Sequence, residues 1–391
     1  MSSEAKTPKI HLDAVGKTYP GTKVPAVADL TLDIHEGEIL VLVGPSGCGK
    51  STTLRLINRM IEPSNGRILV DGKDVTMVNP DKLRRRIGYV IQQIGLFPHL
   101  TISDNIATVP KMLGWDKERI RARTEELLAT VGLDPDVYRD RFPKELSGGQ
   151  AQRVGVARAL GADPDIMLMD EPFGAIDPIT RDRLQNEFLR LQSELKKTIV
   201  FVTHDIDEAI KMGDRIAILG ERSTIHQIDT PERILARPID DFVNDFIGNG
   251  STIKGLNFLK VDSVTFTGYP FVSAKDSPEA GRAKLADSHY DYLIFLDEHR
   301  SPVRWLRAED LDGGPATYAT AGEAVGEDWL RSESSLFEAL ELMVQSAAGL
   351  TVVVDANGEF QGVVSMADLN KAIRRAQREA QRHYEDLEIH A

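Results

Sequence analysis

Lys50 and Ser51 end the stretch Gly44-Pro45-Ser46-Gly47-Cys48-Gly49-Lys50-Ser51, a Gly-x-x-x-x-Gly-Lys-Ser pattern. Glycines let backbone N–H groups curl around an anion without Cβ clashes. A lysine placed there reaches β- and γ-phosphates, and the serine hydroxyl holds Mg²⁺. Two acids, Asp170 and Glu171, follow a separate apolar run, Ile166 to Met169. One acid at a strand end can hold the metal through water, and its neighbour can act as base toward a hydrolytic water. We assign Asp170 to the metal and Glu171 to the base. His204 ends a third apolar run, Ile199 to Val202, after Thr203.

The elements that must bring these residues together are legible in the hydrophobic pattern. Ile39 to Val43 is an unbroken apolar strand before the loop, and Leu54, Ile57 and Ile61 share one face of a helix after it. Ile166–Met169, Ile199–Val202 and Ile216–Leu219 are further buried strands, separated by helical stretches of which 181–197 is the longest. Such alternation predicts a mostly parallel sheet covered on both faces, with ligands at the carboxyl ends of its strands. Gly44, Asp170 and His204 would then meet around one nucleotide. Before this core, Ile10 and Leu12, then Leu30, Leu32 and Ile34, alternate as half-buried antiparallel strands, and Ile68–Val70 with Asp71-Gly72 reads as a hairpin. Residues 94–165 turn helical and more polar, with Ile120, Leu127, Leu128 and Val131 forming an amphipathic helix.

The bulk numbers bound the rest. The 391 residues are 41% hydrophobic and 27% charged, which fits two or three ordinary globular domains. A net charge of −13 argues against a protein that wraps nucleic acid. The single cysteine, Cys48, forbids an internal disulfide and points to a reducing compartment. The opening MSSEAKTPK has no apolar core and is not read as a signal peptide; no apolar run approaches the ~18 residues of a membrane span, so a membrane role must come through a partner.

With Leu146-Ser147-Gly148-Gly149-Gln150 ahead of the second buried strand, residues 8–237 resemble the ATP-binding subunit of ABC transporters. Gly44 to Ser51 matches the Walker A loop, Ile166 to Asp170 the Walker B strand, and Leu146 to Gln150 the signature. The resemblance implies an α/β fold: a phosphate-loop NTPase with a mixed sheet core, antiparallel β and helical subdomains. It implies that Gly44, Pro45, Ser46, Gly47, Cys48, Gly49, Lys50, Ser51 and Thr52 bind ATP and that Tyr19 stacks on the adenine. Ser51, Asp170 and Gln92 hold or sense Mg²⁺, and Glu171, His204 and Gln92 serve hydrolysis. Either Gln92 or Gln93 fills the Q-loop slot; the spacing to Leu96-Phe97-Pro98 favours Gln92. Ser147, Gly148, Gly149, Gln150 and Asp177 would act in trans, on ATP held by a second copy in a homodimer. Phe97, Leu100, Ile102, Met112 and Trp115 would line a groove for the membrane subunit or pack the helical subdomain.

Gly248-Asn249-Gly250-Ser251 reads as a linker, taken as 238–254. Beyond it, Leu296 to Leu311 aligns without gaps on Val354 to Leu369 at an offset of 58 residues, and a helix, Leu336 to Val344, precedes the second copy. The pattern resembles a tandem CBS pair, an α+β domain over 255–375, followed by a charged tail, 376–391. The resemblance offers Gly362, Ser365 and Asp368 as an adenine-nucleotide site, the alternative being a salt-responsive or purely dimerising role. In the first copy Arg304 and Arg307 replace the glycine and serine, leaving Asp310. On a helix, Lys371, Arg374, Arg375, Arg378 and Arg382 would either attract an anionic lipid surface or form a solvated face partly offset by Glu385, Asp386 and Glu388. An ABC ATPase with a CBS pair resembles the energising subunit of importers of quaternary ammonium osmolytes such as glycine betaine, choline, proline betaine and carnitine. That implies an integral membrane permease as partner, an extracytoplasmic solute-binding protein indirectly, and a place on the cytoplasmic face of the bacterial cell membrane. The alternatives are import of an amino acid or sugar, or a soluble ABC ATPase outside transport.

Overall fold

The computed structural model describes residues 7–91, 95–174, 176–265, 268–326 and 328–390, the last four of these as backbone only. The chain divides into two compact units, one of residues up to 234 with 239–247, the other of 235–238 with 248 onward.

The first unit is built on the sheets that the apolar runs predict. Strands β1 (Ile10–Lys17), β2 (Val27–Ile34), β4 (Asn65–Val70) and β5 (Lys73–Asp74) form an antiparallel sheet in the order β2-β1-β4-β5. Leu69 pairs with Asp74 across the Asp71-Gly72 turn, so the expected hairpin is present. The second sheet has the order β10-β9-β3-β8-β7-β6, from β3 (Ile39–Val43), β6 (Ile87–Val90), β7 (Ile166–Asp170), β8 (Thr198–Thr203), β9 (Arg215–Leu219) and β10 (Ile225–Asp229). Its strands are parallel except for β10, which pairs antiparallel with β9. All five residues of β3 are buried: β8 and β9 flank it, and Leu40 and Leu42 share a core with the helix that follows it and with β1, β2 and β4 of the antiparallel sheet. The parallel register puts the ends of β3, β7 and β8 on one rim: Val43 pairs with Thr203, and Asp170 with Val202.

Helix α1 (Lys50–Ile57) follows β3, and α2 (Pro80–Arg84) leads into β6. The polar helical stretch contains α3 (Ile102–Ile106), α4 (Thr108–Met112), α5 (Lys117–Thr130), α6 (Pro135–Tyr138) and α7 (Gly148–Leu160). Ile102 is fully buried there, so it packs the helical subdomain, whereas Phe97 and Met112 face solvent. Helices α8 (Pro178–Leu195) and α9 (Ile206–Met212) bracket β8.

After β10 come α10 (Pro231–Ala236), α11 (Asp241–Ile247) and α12 (Ser251–Gly255). The segment expected as a linker is therefore partly helical. Val243 and Ile247 are buried on α11, while Gly248 and Gly250 hold positive φ between the two helices.

The second unit repeats one motif. Strand β11 (Phe271–Ser273), helix α13 (Pro278–Ala286) and the hairpin β12 (Leu293–Leu296) to β13 (Pro302–Leu306) come first, with β14 (Glu323–Ala324) at the sheet edge. Helix α14 (Leu336–Gln345) and the hairpin β15 (Thr351–Val354) to β16 (Phe360–Val364) follow. The registers coincide under a shift of 58: Leu293 pairs with Leu306 and Thr351 with Val364, while Val272 pairs parallel with Phe295 and Leu330 bridges Val353.

The same side chains lock the turns in both copies. Asp297 accepts from the amides of His299 and Ser301, and Asp355 from those of Asn357 and Glu359. Ser277 and Ser335 cap the two helices. Ile294, Leu296 and Trp305 share one core with Val352, Val354, Phe360 and Val363.

The copies part after Leu311 and its counterpart Leu369, both buried. Asp312-Gly313-Gly314-Pro315 stops the first after one tight turn, and the chain coils back to bury Tyr318. The second has neither Gly nor Pro and continues as α15 (Met366–His390). The residues expected as a charged tail thus prolong a helix of the repeat, with Ala380 and Tyr384 buried on it.

Candidate functional site

Two glycines of the Gly44–Ser51 loop, Gly44 and Gly49, are dictated by close approaches, whereas Gly47 is dictated by its φ of +83. A Cβ on Gly44 would lie 2.2 Å from the Leu219 carbonyl oxygen of β9. Gly49 sits at φ +113, where a Cβ would lie 2.2 Å from Ser223 Oγ and 2.7 Å from the Ala26 carbonyl oxygen. Ser223 itself holds the loop: its amide and hydroxyl both donate to the Cys48 carbonyl, at 2.6 and 3.1 Å. Arg222 and Ser223 both have left-handed φ to make this possible. Cys48 is buried, with its sulfur 3.7 Å from Lys50 Nζ.

Gly49 stands at the N-cap of α1 with no side-chain cap, so the first amides of that helix remain available to an anion. Lys50 is buried, and its ammonium donates to the carbonyls of Gly44 and Pro45 at 2.7 and 2.9 Å. Pro45, Ser46 and Gly47 are exposed around it, and Thr52 is half-buried on α1.

Across the rim, Ser51 Oγ donates to Asp170 Oδ1 at 2.8 Å. Burial raises the Asp170 carboxyl above its ordinary range, and the Ser51 hydrogen bond pulls the other way. Among the described residues there is no group of three or more His, Cys, Asp or Glu that would hold a metal ion. Two hard oxygens 2.8 Å apart nonetheless suit Mg²⁺, which takes one or two protein oxygens and completes its shell with water and phosphate. Glu171 turns out of the strand at φ +45, its amide donating to the Val202 carbonyl at 2.9 Å. A non-glycine residue there is strained, and here the strain aims a carboxylate over the rim. Its Oε1 lies 3.1 Å from His204 Nδ1, and the His204 ring is mostly exposed.

The structure therefore brings Gly44–Ser51, Asp170, Glu171 and His204 to one rim. Tyr19 is half-buried just beyond β1, with Lys17 Nζ 5.4 Å from its ring centre. Gln92 and Gln93 lie outside the described residues.

The signature residues form a separate patch. Ser147 caps α7 by accepting from the Gln150 amide at 3.3 Å, and the Gln150 carboxamide accepts from the Ser147 amide at 3.0 Å. A Cβ on Gly149 would lie 3.3 Å from the Thr180 methyl, in the first turn of α8. Asp177 caps that helix, accepting from the Thr180 amide at 3.0 Å. Gly148 is exposed, and among the described residues no hydrogen bond joins this patch to the Gly44–Ser51 loop.

In the second unit Asp368 is buried at the start of α15, and its Oδ2 accepts from the Ser365 hydroxyl and amide at 2.6 and 3.1 Å. Asp310 repeats the amide contact on Arg307 at 2.8 Å. A small cleft of about 230 Å³ is lined by Asp368, Lys371 and Arg375 from α15 and by residues 263–265. Gly362 is buried in β16, away from that lining.

Two contributors have no counterpart among the residues that the sequence singles out. Ser223 belongs to no motif; only its packing behind Cys48 reveals it. Glu208 is an acid on the buried side of α9, one turn past His204, an unusual place that could have flagged it.

The chain matches the family described as ABC transporter over residues 27–174, and the CBS domain over 329–375. It is 43% identical over 363 residues to the carnitine transport ATP-binding protein OpuCA of Listeria monocytogenes, covering 92% of this chain and 91% of that one. Identity is 44% over 363 residues with the glycine betaine/carnitine/choline transport ATP-binding protein OpuCA of Bacillus subtilis (92% and 95%). Among solved structures, a dimeric bacterial ABC transporter cassette superposes with TM-score 0.52 at 36% identity, covering 56% of this chain and 98% of that one. A post-hydrolysis dimer of the same cassette with ADP and Pi gives 0.51 at 35%, covering 56% and 98%.

Proposed function

The chain belongs to the ATP-binding proteins of ABC transporters, and on that premise we propose that it energises an importer of quaternary ammonium osmolytes from the cytoplasmic face of a bacterial membrane. Among the described residues no helix is long and apolar enough to cross a bilayer. An integral membrane permease, the usual partner of this family, would carry the solute. The solute class is supported by the relatives, which are carnitine and glycine betaine/carnitine/choline transport ATP-binding proteins.

The observation that carries the ATPase reading is the rim where Lys50, Ser51, Asp170, Glu171 and His204 converge from the ends of three neighbouring strands. Lys50, the α1 amides and the loop N–H groups bind the phosphates, and Tyr19 offers its ring to the base. Mg²⁺, when bound through Ser51 and Asp170, neutralises charge on the phosphate oxygens. Glu171 takes the proton of the attacking water, and His204 steadies the γ-phosphate while its Nδ1 stays tied to Glu171. Ser147–Gln150 and Asp177 face the nucleotide of a second copy, a homodimer supported by the dimeric relatives. Gln92 completes the metal side by family resemblance. Steady-state ATPase of the permease complex in vesicles, stimulated by a quaternary ammonium solute with its binding protein, tests the reading. Stimulation by sugars or amino acids alone would count against it.

At the second domain the side chains support an anionic lipid surface better than a nucleotide. Asp368 is already engaged by Ser365 and, at 3.3 Å, by Lys371. Lys371, Arg374, Arg375, Arg378 and Arg382 are all exposed and recur at helical spacing on α15, with Arg375 paired to Glu379 at 2.8 Å. At ~1 kcal/mol per basic residue near an anionic surface, reversing Arg374, Arg378 and Arg382 to Glu should lower binding to phosphatidylglycerol vesicles at low salt by at least about a hundredfold. Vesicle co-sedimentation measures it; binding that survives the reversal sinks the lipid role. Equilibrium dialysis of the full chain with ATP and AMP, with the Lys50 loop disabled, reports any nucleotide at Gly362, Ser365 and Asp368.

A further inference from the structure

His204 is exposed, and a mobile imidazole would be a poor partner for a phosphate, yet the backbone on either side of it is tied to buried groups. Thr203, the residue before it, is 1% exposed; its hydroxyl accepts from the Asp205 amide at 3.1 Å and hydrogen-bonds the Glu208 carboxylate. Asp205, the residue after it, caps α9 by accepting from the amides of Asp207 and Glu208 at 2.8 and 3.2 Å. The Glu208 carboxylate is 8% exposed and takes a further hydrogen bond, 3.0 Å, from Gln185 Nε2 on α8.

The grip from α8 is repeated one turn N-terminal to Gln185. Lys211 of α9 reaches Asp182 Oδ1 at 2.5 Å, and Arg181 Nη1 lies 4.0 Å from Asp205 Oδ2. Arg181 Nη2 also donates to the Ile176 carbonyl at 3.0 Å, next to Asp177.

We propose that Glu208 and Gln185 are positioning residues for His204: the buried carboxylate clasps the Thr203 hydroxyl and the Gln185 amide, fixing the His204 loop to the helix that Asp177 begins. A buried acid is costly unless its oxygens are engaged, and those of Glu208 are engaged by groups from β8 and α8, which ties the two elements together. Burial raises the Glu208 carboxyl, while the Thr203 and Gln185 hydrogen bonds lower it. The clasp spans two secondary-structure elements rather than one turn. A shift of the Asp177 end of α8 is thereby passed to the imidazole, and placement errors near 1 Å are enough to cost large factors in rate.

The inference rests on the reading that His204 serves hydrolysis, and the test separates the two. In the full chain, Glu208→Ala should lower ATPase kcat about tenfold or more while changing the KM for ATP less than twofold. Glu208→Gln, which keeps an acceptor for Gln185, should recover part of the loss. In a His204→Ala background Glu208→Ala should bring no further fall, because the group it positions is gone. An additive loss in that background, or a rise in KM at unchanged kcat, overturns the proposal and leaves a structural role. If Glu208→Ala does not fold, Gln185→Ala takes its place in the same two backgrounds: a kcat loss that vanishes without His204 supports the clasp, and an additive loss overturns it. Undiminished kcat in His204→Ala would instead remove the reading beneath it.

Discussion

Glu171→Gln is expected to keep ATP binding near the native level and to lose ATP turnover by about three orders of magnitude, within the 10²–10⁴ range of general-base catalysis. The carboxamide is nearly isosteric, so the strained turn at φ +45 and its hydrogen bond to Val202 persist, and an amide can still meet His204. What it cannot do is accept the proton of water. Lys50, Ser51 and the α1 amides are untouched, so nucleotide still enters. ATP held without hydrolysis should then keep two copies together through the Ser147–Gln150 patch, a ligand-biased two-state pair left in one state. Sedimentation of the purified variant with saturating Mg-ATP would show a dimer where the native chain relaxes to a monomer. A monomer under those conditions, with ATP demonstrably bound, would sink the sandwich mechanism; normal turnover would remove Glu171 from the base role.

Gly49→Ala should abolish useful nucleotide affinity through the backbone alone, with no change of charge. At φ +113 a Cβ is strained by about 1–2 kcal/mol even in open space. Here it would also overlap Ser223 Oγ at 2.2 Å and the Ala26 carbonyl at 2.7 Å. Relief requires the loop to move, taking with it the amides that open α1. We expect ATP affinity to fall by at least about a hundredfold, read by fluorescence titration with a nucleotide analogue, together with a lower melting temperature. Adding Ser223→Gly removes the hydroxyl overlap but not the carbonyl, so the double variant should recover only part of the affinity. Unchanged affinity in Gly49→Ala would show that the loop is not held from behind as described.

Much of the fold is legible in the sequence because the core strands are uniformly apolar and end in polar residues. Ile39–Val43, Ile166–Met169 and Ile199–Val202 announce buried parallel strands, and their adjacency on one rim follows from the sheet rule rather than from any one residue. The repeat at an offset of 58 is visible because apolar positions and Asp-x-x-Gly-like turns recur, and the turn locks of Asp297 and Asp355 show why those residues recur. What the sequence hides has a common cause. Ser223 and Glu208 act through tertiary proximity, across 175 residues to Cys48 and 23 to Gln185, and no local period encodes such contacts. The helical parts of the expected linker and tail are hidden for another reason. Polar sequences such as 371–386 carry high helix propensity without a wide apolar stripe, so their composition resembles a disordered end where a helix continues.

Helix α15 has a mechanical meaning. Its 25 residues rise about 1.5 Å each, giving a strut of roughly 37 Å with no proline or glycine at which to buckle. Leu369 roots that strut in the β15–β16 hairpin, while Ala380 and Tyr384 are pinned near its other end. Because Leu369 shares a core with Val353 and Val364, a displacement of the exposed turns of α15 would be felt at the hairpin rather than absorbed at a break in the helix.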